Sequence, residues 1–229
     1  MDKIILIIIL FPVILLSLII HEIAHGRMAF FRGDPSAFYE KRLSFNPLVH
    51  LDPIGSMVMV GTLFLSVIFT AVTKMDGILC LGWAKPVPVR EENFANSRLD
   101  LILVSLAGPA SNFILAFFAG LPFQIGIMTI PESNFLSGGI FAIIAMFLYL
   151  IVNVNIVLGI FNLFPMPPLD GSKILAAFLP EPYDKMIKFP TRNTMIVTMV
   201  ITILLINWGG FSELIRFFIN LFTNISGLT

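Results

Sequence analysis

Long apolar runs separated by short polar stretches set the frame of this chain. Apolar residues dominate from about Ile4 to Phe31, Ile54 to Val72, Leu99 to Phe123, Gly138 to Phe164 and Thr194 to Trp208. A helix needs roughly 17–25 apolar residues to cross a ~30 Å hydrocarbon core, and the runs meet or approach that length. The pattern predicts an all-α polytopic membrane protein with about five to six transmembrane segments. Phe211, Leu214, Ile215, Phe218 and Leu221 fall near helical spacing, which fits an interfacial helix or an extension of the last span. One stretch resists the helical reading. In C-L-G-W-A-K-P-V-P-V, Pro86 and Pro88 forbid a regular helix, while alternating Val87 and Val89 suit extended backbone. Extended backbone at membrane depth must be buried in protein or line a cavity, so a re-entrant or extended segment is expected near residues 80–89.

The polar positions supply an orientation. Arg27 near the end of the first run and Arg32, Lys41 and Arg42 after it form one basic set, and Lys173, Lys185, Lys188 and Arg192 follow the fourth. Both sets mark the cytoplasmic face, whereas the loop at 124–137 has no Lys or Arg and is assigned outside. The N-terminus is thereby expected outside, in a multi-pass protein of the cell membrane. Loop charges put both ends of 54–98 on the cytoplasmic side although one long run lies between them, so part of 77–84 is expected to return across the membrane. The first run exceeds the usual h-region of a signal peptide, about 7–15 residues, and is expected to stay as a helix.

Composition narrows the class. Hydrophobic residues make up 57% of the 229, charged residues 12%, and mean hydropathy is +0.95. Soluble domains hold roughly 45–50% apolar residues. A formal net charge of zero gives no argument for nucleic acid as partner. The single Cys80 excludes an internal disulfide and a cysteine-rich zinc site. Little chain is left for a soluble part, so residues 1–229 read as one membrane-embedded domain, with motifs over 15–175 and a C-terminal span and possible interfacial helix over 176–229.

Within the first run lies L-I-I-H-E-I-A-H-G-R-M, residues 18–28. Ionisable side chains inside a span are costly and mark function. His21 and His25, four apart, share one helical face and can hold one metal ion, and Glu22 beside them can work on a water bound to it. His21 lies roughly 25 Å along the helix, near the cytoplasmic face. Catalytic zinc takes three protein ligands, so a third must come from elsewhere. Asp170, where the fourth run breaks at N-L-F-P-M-P-P-L-D-G, is favoured; His50 and Asp52 compete. Asn162 and Asn112 can bond a substrate carbonyl or an oxyanion, or can be amides bonding between helices.

These stretches together resemble a family. H-E-I-A-H at 21–25, F-N-P-L-V-H-L-D-P-I-G at 45–55, G-W-A-K-P-V-P-V at 82–89, S-L-A-G-P-A-S-N at 105–112 and N-L-F-P-M-P-P-L-D-G at 162–171 resemble, in order, the site-2 protease family of intramembrane zinc metalloproteases. The likeness is to the compact prokaryotic type without PDZ or CBS domain. It implies one Zn2+ per chain on His21, His25 and Asp170, Glu22 as catalytic base and acid, and Asn162 as a catalytic residue that positions substrate or stabilises the oxyanion. It also implies substrate contact along Gly82, Trp83, Ala84, Lys85, Pro86 and Val87, and a place for Gly108 and Asn112 near the site. His50 matches a histidine frequent in such members, with its role open. The implied activity is hydrolysis of a peptide bond in or near a transmembrane segment of a membrane protein, with that substrate and the lipid bilayer as partners. Alternatives are a transporter or channel that binds a metal or proton, and a metal-binding scaffold without proteolytic activity. Glu22 in the HExxH frame distinguishes the protease, since a transport site needs no water-activating carboxylate.

Overall fold

The computed structural model describes residues 2–73, 85–129, 138–180 and 209–223, together with 201 and 204. Among these the chain is mostly helical: α1 (Asp2–Phe31), the short α2 (Ser36–Tyr39), α3 (Pro53–Thr73), α4 (Ser97–Gln124), α5 (Gly139–Asn162), α6 (Asp170–Ala176) and α7 (Gly209–Thr223). Three helices, over Ile8–Phe31, Ser97–Gln124 and Gly139–Asn162, are long and apolar enough to cross a membrane. The expected run at 194–208 lies outside the described residues save 201 and 204, and so does the expected return at 77–84. The described part of the extended segment, residues 85–90, has no helix, as its prolines require.

Helix α4 is the hub, packing against α1, α5, α6 and α7. Its small residues Ala116 and Ala119 let α1 and α5 approach, and Val13, Ile151, Val152, Ile156 and Ile160 close a core between them. A second cluster, Leu10 and Ile14 with Met59 and Leu63, seats α3 against α1. The amphipathic α7 packs onto the bundle: Phe211 is buried beside Phe164, Phe218 stacks near Phe113, and Gln124 Nε2 donates to the Phe222 carbonyl. Pro109 lies inside α4, which runs on unbroken through it.

Polar contacts fix the ends of α1 and α4. Gly33, at φ +103°, closes α1 in the left-handed region that favours glycine. Arg32 pairs with the fully buried Asp100 through Nε at 2.6 Å and Nη2 at 2.5 Å. Asn96 and Asp100 form a reciprocal cap, with Asn96 Oδ1 accepting from Leu99 N and Asp100 Oδ2 from Asn96 N. Asp34, fully buried, accepts from Ser36 N, Ser36 Oγ, Arg90 N and Asn93 Nδ2 and so ties the end of α1 to the extended segment. Burial alone raises the Asp34 pKa, but these donors outweigh it and hold the carboxyl below its ordinary value.

Candidate active site

On α1, Val13, Ser17, His21 and His25 repeat every four residues and face α4 and α5. Both histidines are buried, at 4% and 6% exposure. Asp170 opens α6, just after the turn that holds the cis Pro167–Pro168 peptide. Its Oδ2 lies 3.0 Å from His21 Nε2 and 3.0 Å from His25 Nε2, and the two Nε2 atoms are 3.0 Å apart. Lys173 Nζ donates to the other oxygen, Oδ1, at 3.1 Å.

Two glycines make this approach possible. A Cβ on Gly108 would stand 2.3 Å from His25 Nε2 and 2.6 Å from His21 Cε1, so α4 meets the imidazoles where it carries no side chain. A Cβ on Gly171 would stand 2.2 Å from the Leu163 carbonyl oxygen, so only glycine lets α6 start tight against the end of α5.

The outer ring nitrogens are also held. His25 Nδ1 donates to the Val104 carbonyl and His21 Nδ1 to Asn112 Oδ1, each at 2.6 Å. With Nδ1 carrying the hydrogen, each neutral imidazole turns a bare Nε2 inward. In that neutral form two lone pairs and a carboxylate oxygen face one another. That donor set repels itself and fits a cation at its centre. A tetrahedral zinc with bonds of about 2.0–2.1 Å holds its ligand atoms roughly 3.3 Å apart, close to the spacing here. Among the described residues, His21, His25 and Asp170 are the group able to hold a metal ion.

The other expected residues fall at differing distances from this centre. Glu22 Oε2 accepts from Val87 N at 2.9 Å, so the extended segment is pinned to the acidic residue of HExxH. Lys85 N donates to the His50 carbonyl, and Gly82, Trp83 and Ala84 lie outside the described residues. Asn162 turns its Nδ2 back to Leu158 O, one turn earlier on α5. Asn112 is fully buried with its amide between His21 and Asn155. The alternatives to Asp170 serve elsewhere: His50 Nε2 bonds Ser44 O, and Asp52 caps α3 through Gly55 N. Sequence reasoning passed over Ser17 and Asn155. Their signal was a polar side chain inside an apolar helix, with Ser17 four residues before His21.

A buried HExxH helix, closed by a carboxylate from a second helix inside an apolar bundle, defines a membrane metallopeptidase. The family model described as Peptidase family M50 matches residues 122–206. A Bacillus subtilis (strain 168) protein named "Putative zinc metalloprotease YwhC" is 34% identical over 175 residues, covering 75% of this chain and 71% of that protein. No solved structure matches the chain at a significant level. The chain belongs to Peptidase family M50, the site-2 protease type, and is a zinc metalloendopeptidase of the membrane.

Proposed function

We propose that the protein hydrolyses a peptide bond in or near a transmembrane segment of a membrane protein substrate. The observation that carries this reading is the burial of His21, His25 and Asp170 among helices long enough to span a bilayer. His21, His25 and Asp170 would hold one zinc ion. Bound there, zinc supplies Lewis-acid polarisation and lowers the pKa of water towards about 7. Glu22 takes the proton from the attacking water and passes it to the leaving amine nitrogen. The Val87 N–H fixes one Glu22 carboxylate oxygen and so orients the base. Asn162 bonds the carbonyl oxygen of the scissile peptide. Its amide rests on Leu158 O, so this role requires the side chain to swing away once substrate arrives.

A substrate helix has its backbone bonds satisfied internally and must unwind to be cut. The Gly82–Val89 segment receives the unwound stretch and pairs with its exposed amides. Lys85 and Val87 anchor that segment through their N–H groups to His50 and Glu22, and Arg90 just beyond it is tied to Asp34. We place the N-terminus outside and the site near the cytoplasmic face, with five to six membrane segments in all. The basic residues after α1, Arg32, Lys41 and Arg42, support that orientation.

The test is to reconstitute the purified protein with a single-span membrane protein and map the product termini by mass spectrometry. Cuts within or at the edge of the span are expected. Cuts confined to soluble tails would overturn the intramembrane reading while leaving the peptidase itself intact.

A further inference from the structure

Ser17, Asn155 and Asn112 form a directed chain of hydrogen bonds that ends on His21. Ser17 Oγ donates to the Val13 carbonyl at 2.8 Å, so its oxygen is left to accept. Asn155 reaches that oxygen at 2.8 Å and also the Ile151 carbonyl at 2.8 Å. A backbone carbonyl only accepts, so the group Asn155 turns that way is its NH2. Its Oδ1 must then face Asn112, 2.7 Å away, which obliges Asn112 to present NH2 there. Asn112 Oδ1 is left for His21 Nδ1, which must carry the hydrogen. Ser17, Asn112 and Asn155 are at most 1% exposed, so water does not compete for these bonds.

We propose that Asn155 and Ser17 are positioning residues for the metal centre: through Asn112 they lock His21 in the tautomer that offers Nε2 to zinc. Two backbone carbonyls, on α1 and α5, thereby select the protonation pattern of a ligand they do not touch. His25 gets the same result directly from the Val104 carbonyl, so each histidine's tautomer traces back to a backbone acceptor. Without Asn155, the Asn112 amide is free to flip, and a flipped amide donates to Nδ1 and moves the hydrogen to Nε2. The proposal rests on the zinc-ligand reading above.

Zinc affinity, measured by chelator competition on the purified full-length protein, tests it without any substrate. Partners of ligating histidines are typically worth about 10–100-fold in metal affinity, and Asn155→Ala is expected to weaken zinc binding by that range. The discriminating background is Asn112→Asp. There the atom facing His21 is an acceptor whichever way the group turns, so Asn155→Ala should cost less than about threefold more. An equal loss in both backgrounds would mean that Asn155 acts by packing alone, and no loss in the native background would equally overturn the proposal. Should Asn155→Ala fail to fold, Ser17→Ala is read instead. A several-fold weaker affinity that disappears in the Asn112→Asp background supports the chain, and unchanged affinity removes it. If wild type and His21→Ala bind zinc equally, the ligand assignment itself has failed, an outcome distinct from failure of the relay.

Discussion

At the scale of single residues, the centre depends on atoms that are absent as much as on those present. Gly108 leaves room that a methyl group would take from His25 Nε2 at 2.3 Å. Gly108→Ala should therefore displace the imidazoles and lower bound zinc well below one per chain, measured by metal analysis of the purified protein. His21→Ala and Asp170→Ala should each do the same by removing a proposed ligand. Unchanged zinc in Asp170→Ala would return the third position to His50 or Asp52. Asn162→Ala, if that amide serves the scissile carbonyl, should lower kcat by roughly 10²–10³-fold with little change in zinc content or KM. The HExxH spacing made His21, Glu22 and His25 legible because i, i+4 is a purely local relation. Asp170 was legible only as a costly carboxylate at a helix break, since its approach depends on how α5 and α6 fold back on α4. Asn155 was hidden because an amide on an apolar helix gives no local sign of which neighbour it will reach.

At the scale of elements, the runs of apolar residues marked α1, α4 and α5 to within a few residues, because membrane length and continuous hydrophobicity leave little freedom. No local pattern pointed to α4, rather than α1, as the hub. That follows from the small residues on its faces, whose value depends on what packs against them. The segment at 85–90 was readable as non-helical from its prolines, but its anchoring through Asp34 and Glu22 was not. Asp34 should make this junction sensitive to acid. Its pKa is lowered in the folded protein, so its contribution is complete above the ordinary carboxylate pKa of about 3.9 and is lost as pH falls below that towards the depressed value. Thermal melts in detergent should show Tm falling at acid pH in wild type, with a shallower fall in Asp34→Asn. The same slope in both would place the acid sensitivity elsewhere.

At the scale of the whole molecule, the proposed cleavage within the membrane needs a polar, hydrogen-bonded centre inside an apolar bundle and an orientation that puts it near the cytoplasmic face. The orientation can be checked with Lys41→Cys in a Cys80→Ala background. A membrane-impermeant thiol reagent should label it only when the cytoplasmic face is open. Labelling from the outer face would invert the orientation proposed here. In the proposed mechanism Glu22 performs proton transfer at a metal centre it does not help to build. The most direct measurement compares Glu22→Gln with wild type for zinc content and for cleavage of a reconstituted single-span substrate, with and without chelator. One zinc is expected in both proteins, with cleavage by wild type that chelator abolishes and a fall of about 10²–10⁴-fold in the variant. Cleavage that persists in Glu22→Gln, or that survives complete removal of zinc, would contradict that mechanism.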